Sequence, residues 1–218
     1  MKHADYVAGG GQDVRVAVGA LLEILLAISG IATAVVIFPI VKRVNESIAL
    51  GYIASRTVES ILILVGVVSL MSVVALRHGA AGATTTSGPL VDVARGLLAV
   101  HDRTALLGPQ FCAGLGNGIL LGYLMWRSRL LPRPMVMIGL IGGPLALLAG
   151  VAVLFRANPS GLPVALTAPE AIWEFLLSVW LLAKGFRPSP ILTGPATIPS
   201  EASGGRREGA GAVTNAAS

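Results

Sequence analysis

Glu23, His101, Asp102, Asn117 and Glu174 are the side chains best placed to do chemistry, because each falls within or beside a long, nearly uncharged apolar run. A carboxylate in such a setting is costly unless a proton, a cation or a hydrogen-bond donor compensates it. Paired with His or Arg, it can bind a cation, exchange protons or hold a small polar ligand. The same five residues fit equally well a satisfied hydrogen-bond network that pins helices together, and the sequence leaves both readings open. Arg56 and Glu59 stand three residues apart, hence on one helical face. They are expected to form an intrahelical pair near the end of their segment, with Arg56 reaching outward to water. Thr167-Ala-Pro-Glu170 matches a capping box, which predicts a helix start there with Glu170 holding free backbone donors.

Catalysis has no such support. The chain contains no His-Glu-x-x-His, no Gly-x-Ser-x-Gly and no phosphate loop, and its histidines are only His3, His78 and His101. Cys112 is the single cysteine, which excludes an internal disulfide and a thiolate metal cluster. Inside an apolar run it is expected to be a buried, inert thiol. The sequence thus assigns no catalytic residue, no metal site and no cofactor.

The elements that must position these residues are read from the apolar runs. Between Arg103 and Arg127 lie 23 residues without a charge, and about 20 apolar residues suffice for a helix to cross a ~30 Å hydrocarbon core. Five such runs predict an all-α polytopic transmembrane bundle with spans at about 16–41, 52–76, 104–126, 135–155 and 168–183. No stretch alternates with period two over about ten residues, so a barrel is excluded. Ala32-Thr-Ala34 resembles a signal cleavage site, but the run continues apolar to Val41, longer than a signal core of about 7–15 residues. Leu90–Arg103 reads as an amphipathic piece ahead of the third span. Residues 1–188 form one membrane domain on this reading, and Ser189–Ser218, rich in Pro, Gly, Ala and Ser, a disordered tail.

Composition agrees. Hydrophobic residues make up 54% of the 218 and charged ones 12%, too few to cover a soluble domain that typically has about 25%. The net charge of +5 comes from Lys and Arg in short loops beside apolar runs, and aromatic residues reach only 5%. The expected partner is therefore the lipid bilayer, not nucleic acid, with a small polar ligand or cation as the further candidate. Nine basic residues (Lys42, Arg43, Arg127, Arg129, Arg133, Lys184, Arg187, Arg206, Arg207) fall on the side of the C-terminus and six (Lys2, Arg15, Arg77, Arg95, Arg103, Arg156) on the other. The positive-inside rule then predicts a cytoplasmic C-terminus and, with five spans, an outer N-terminus.

Small residues suggest the packing. Gly114, Gly118 and Gly122 recur every four residues on span three, and span four offers Gly139 with Gly143, and Gly142, Ala146 and Gly150. Such spacing lets helix backbones approach closely in lipid. The short turn between these spans makes them antiparallel neighbours; a homodimer through one glycine face is the alternative. Pro144 frees the carbonyl of Leu140 and predicts a kink. In energy, the fifteen Leu, Ile, Val and Phe residues of span one outweigh Glu23 easily. Span five has only eight from Leu166 onward and carries both Glu170 and Glu174, so those acids must be interfacial, partnered or protonated.

Several strings taken together resemble a bacterial membrane-protein family catalogued as domain of unknown function 4386. They are Ala49-Leu-Gly-Tyr-Ile-Ala-Ser-Arg56 leading to Glu59, His101-Asp102 before Leu-Leu-Gly-Pro109, and Leu121-Gly-Tyr-Leu into Arg127-Ser-Arg-Leu-Leu-Pro132. Ile138-Gly-Leu-Ile-Gly-Gly-Pro144 and Pro169-Glu-Ala-Ile-Trp-Glu174, ending in Lys184-Gly-Phe-Arg-Pro188, complete the set. The resemblance covers about Val14 to Pro188 and implies an integral membrane protein, with no activity attached. Members usually open with one more apolar helix, giving six spans; here the resemblance begins inside the loop after it. The function expected from all this is an uncharacterised, non-enzymatic membrane protein with a structural, regulatory or small-ligand sensing role. The alternative is a small solute or proton-coupled transporter, with a membrane-embedded enzyme a distant third.

Overall fold

The structure, a computed structural model, describes residues 13–80, 88–155 and 162–193. These form α1 (Asp13–Val41), α2 (Glu46–Ala80), α3 (Gly88–Ala105), α4 (Gly122–Ser128), α5 (Arg133–Leu154), α6 (Leu162–Lys184) and a short α7 (Pro190–Thr193). Between α3 and α4 the chain stays helical but widens to π-type turns over Leu106–Cys112 and Gly114–Leu121. Among the described residues five helices are long and apolar enough to cross a membrane: Asp13–Val41, Glu46–Gly79, Gly88–Ser128, Arg133–Leu154 and Ala165–Lys184. The fold is an all-α bundle of a multi-pass membrane protein.

The third span departs from its expected bounds. The piece read as separate, Leu90–Arg103, is continuous with the span, and the joint helix runs 41 residues from Gly88 to Ser128. At ~1.5 Å per residue that approaches 60 Å, about twice the hydrocarbon thickness. The chain does not break at Arg103 because nothing there stops a helix. α3 lays an apolar side, Ala94, Leu97 and Leu98, on Val73 of α2, and its polar side carries the exposed Asp92–Arg95 pair.

Two kinds of contact hold the bundle. Near the end where α1, α4 and α6 finish, buried Ile37, Val41, Tyr52, Leu121, Leu124, Leu131 and Trp173 form one core cluster. Elsewhere, glycines let backbones touch. An ideal Cβ at Gly114 would lie 3.0 Å from the Gly143 carbonyl oxygen, and one at Gly118 only 2.4 Å from the Gly143 Cα. Gly114 and Gly118 thus pack against α5 within one chain, as their spacing predicts, while Gly122 meets Leu140. Two other α5 glycines turn to α6. Gly139 makes room for the indole of Trp173, and Gly142 for the α6 backbone at Glu170. The reason is geometric: at about 100° per residue Gly139 lies about 40° from Gly143 and about 60° from Gly142, so the three glycines span an arc of about 100°, wide enough for two neighbours.

The turns at the basic end are built locally. Asn45 Oδ1 accepts the Ile48 N–H at 3.0 Å and caps α2. Arg129 ends α4 in the left-handed conformation (φ 57), and Pro132 with Arg133 starts α5. The first residues of the tail expected from Ser189 pack on the bundle. Ser189 is buried and donates to the Ser128 carbonyl at 2.7 Å, the Arg187 N–H bonds the Leu130 carbonyl at 2.9 Å, and Arg43 donates to Ile191 at 3.0 Å. The Pro-Ser-Pro composition hid this, because α7 owes its place to tertiary hydrogen bonds rather than local propensity. The rest of the expected tail, 194–218, lies outside the described residues.

Candidate functional site

Along α2 the order Ser55-Arg56-x-x-Glu59-Ser60 brings four polar side chains onto the faces that meet α1 and the widened segment. Ser60 Oγ donates to the Ala27 carbonyl at 2.9 Å and Ser55 Oγ to the Cys112 carbonyl at 2.7 Å. Each serine thereby spends its proton on a neighbouring backbone. Gly30 on α1 and Gly116 on the widened segment supply the clearance: a Cβ there would come within 2.9 Å of Arg56 Nη2 and of Ser55 Oγ respectively. Helices with wider turns are used at functional sites more often than elsewhere, and this one includes Pro109, which lacks the N–H of a regular turn. Ser55→Ala removes a tie between α2 and this segment; a loss of about 1 kcal/mol is expected in detergent melting, the net value of one hydrogen bond.

The Arg56–Glu59 pair forms, at 2.6 Å, with only 11% and 7% of the two side chains exposed. Arg56 does not reach outward to water as expected. It points inward because two further acids lie there. Its Nη1 is 4.0 Å from Glu174 Oε1 of α6, and Glu170 is within electrostatic range of Arg56, Glu59 and Glu174. Glu174 also accepts a hydrogen bond from Asn117 Nδ2, and the Trp173 indole N–H donates to the Asn117 carbonyl at 3.1 Å. One guanidinium therefore serves two carboxyl groups, Glu59 of α2 and Glu174 of α6. Counting about 1.5 Å per residue back from Lys184, Glu174 lies about 15 Å from the basic end, near the middle of a ~30 Å core.

Glu170 is the anomaly of this cluster. It is 3% exposed, and neither carboxyl oxygen has a hydrogen-bond partner among the described residues. The capping role expected of it fails because α6 begins earlier, at Leu162, so Thr167 and Glu170 lie inside the helix. Thr167 instead accepts a hydrogen bond from Gln110 Nε2 at 3.1 Å. Gly118 makes space for the Glu170 carboxyl: a Cβ there would stand 2.6 Å from Oε2. Glu174, by contrast, keeps 42% of its side chain exposed.

The five residues first singled out divide into two groups. Asn117 and Glu174 join the Arg56 cluster. Glu23 and His101 pair separately, with His101 Nε2 at 3.2 Å from Glu23 Oε1 and its Nδ1 at 3.8 Å from the exposed Asp102. Gly66 gives His101 and Thr104 their room. Small cavities of about 160 and 370 Å³ adjoin this pair. His101 and Asn117 are 16 residues apart on one helix, a separation on the order of 20 Å. At the far end of α1, Asp13 pairs with Arg77 and His78. Among the described residues no group of three or more His, Cys, Asp or Glu could hold a metal ion. Sequence reasoning missed Trp173, Ser55 and Ser60. Only the serines left a trace, flanking Arg56 and Glu59.

Residues 2–185 match the family described as "Domain of unknown function (DUF4386)". No curated protein and no solved structure matches the chain.

Proposed function

We propose, from the premise that the chain belongs to the DUF4386 family, a non-enzymatic membrane protein of sensing or regulatory role whose buried Glu170 binds a small monovalent cation. The observation that carries this reading is Glu170, buried with both carboxyl oxygens unpartnered while Glu59 and Glu174 draw on the one guanidinium nearby. Burying such a group costs several kcal/mol unless something compensates it. A small inorganic or ammonium cation supplies the missing charge. Catalysis is not favoured, since the two serine hydroxyls beside the cluster are committed to backbone carbonyls. We place the protein in the cell membrane with its C-terminus cytoplasmic, because the basic residues crowd that end; labelling of single cysteines in a Cys112→Ser background tests it, and reaction of the 127–134 loop from outside intact cells would reverse the orientation.

The binding test is thermal melting in nanodiscs as choline is exchanged for sodium, potassium or methylammonium. A ligand that binds only the folded state stabilises it by about 2.7 kcal/mol at a hundred times its Kd. The wild type is expected to gain stability with at least one of these cations, and Glu170→Gln to melt independently of all of them. Equal responses of wild type, Glu170→Gln and Glu174→Gln would defeat the proposal.

A second reading, a proton-coupled carrier, is favoured by the Glu23–His101 pair and its cavities on the same helix as Asn117. It predicts flux in liposomes that Glu23→Gln and Glu174→Gln both abolish.

A further inference from the structure

At the end of the bundle away from Asp13, α1 and α6 part to leave a groove of about 390 Å³, lined by Ala32, Thr33, Val36, Ile37, Leu181 and Phe186. Its walls are almost wholly apolar. Its mouth is not. α1 runs on from Ile37 into Lys42, and α6 from Leu181 into Lys184 and Arg187, all three exposed. Their charges are held at that level by aromatic rings: Lys42 Nζ lies 5.6 Å from the Phe38 ring, while Lys184 Nζ and the Arg187 guanidinium lie 4.7 and 5.6 Å from the ring of Trp180. Trp at the bilayer interface fixes depth, so these cations sit where headgroups are. Arg127, Arg129 and Arg133 crowd the same end, and Glu46 is the one acid in the adjoining 42–51 turn.

We propose that this groove is a binding site for one anionic phospholipid of the surrounding bilayer, with an acyl chain against Val36, Ile37 and Leu181 and the phosphate among Lys42, Lys184 and Arg187. The two halves of the site match the two halves of the ligand. An apolar slot alone would accept any lipid, and a basic rim alone would attract any anion. Joined at the interface, they select an anionic headgroup that carries a chain. Juxtamembrane Lys and Arg each favour anionic lipid, and a tenfold preference corresponds to about 1.4 kcal/mol in all.

The test is native mass spectrometry of the full chain released from mixed nanodiscs of phosphatidylglycerol and phosphatidylcholine with identical chains. Wild type is expected to retain one phosphatidylglycerol with about tenfold preference. The triple variant Lys42→Gln/Lys184→Gln/Arg187→Gln should lose the preference, and so should Ala32→Phe, which fills the groove from an exposed position without touching the core or the charges. Both variants are checked for wild-type melting in detergent. No preference in wild type would overturn the proposal. So would a preference lost with the charges but kept in Ala32→Phe, since diffuse surface attraction would then explain it. Full competition by soluble glycerol phosphate would overturn the lipid as the source of the anion.

Discussion

Arg56→Leu is expected to destabilise the bundle by about 3–5 kcal/mol, the usual result of stripping one partner from a buried ion pair. The magnitude follows from what is left behind. Glu59 keeps its 7% exposed side chain but loses its 2.6 Å partner, and Glu174 loses the cation 4.0 Å from it. In hydrocarbon neither can recover water without opening the helix packing. The double variant Arg56→Leu/Glu59→Leu should recover much of the loss, because removing both members of a buried pair is often close to neutral. Chemical denaturation in detergent micelles checks both. Additive effects of the two single substitutions would mean that the pair does not act as a unit.

Gly118→Ala is the second large effect, expected to cost about 3 kcal/mol, at the upper end of overpacking penalties. The added methyl would meet the Gly143 Cα at 2.4 Å, the Glu170 Oε2 at 2.6 Å and the Gly143 N at 2.8 Å. Two of these three are backbone atoms, so no side-chain rotation relieves the clash. The helices must separate, and with them Asn117 and its contacts to Glu174 and Trp173. Gly122→Ala offers the control. Its nearest neighbour is the Leu140 Cδ2 at 3.1 Å, the flexible end of a side chain, so a smaller loss is expected. A melting series over Gly114, Gly118 and Gly122 with alanine checks the ranking; equal costs at Gly118 and Gly122 would contradict close backbone packing as its cause.

The spans were legible because a charge-free run of about 20 residues in lipid admits one structure. Arg56 and Glu59 were legible as a pair because three residues on a helix is a local distance. What Arg56 faces was not, since it depends on which side of α6 comes to meet α2. The capping box misled for a related reason: Thr167-Ala-Pro-Glu170 is a good start signal, but α6 already begins at Leu162 and continues through it. Grouping Glu23 with Glu174 rests on both being acids in apolar runs, and a run says nothing of the angle at which a side chain leaves its helix. Between His101 and Asn117 the helix widens, which changes the angular step per residue, so a face projected at 3.6 residues per turn points elsewhere. Close approach by the 114, 118 and 122 glycines could be foreseen from spacing; that Gly139 would instead receive Trp173 could not, because spacing names a small face without naming its occupant.

Glu170, beside the Arg56–Glu59 pair, is proposed to bind a small cation. Infrared difference spectroscopy of the full chain in nanodiscs tests it most directly, recorded as choline is exchanged for sodium, potassium or methylammonium at constant pH. With at least one of the three, the wild type is expected to give a saturable change in its carboxyl bands that Glu170→Gln abolishes while Glu23→Gln retains it. Spectra of wild type and Glu170→Gln that change alike, or that do not change with any of the three cations, would contradict it.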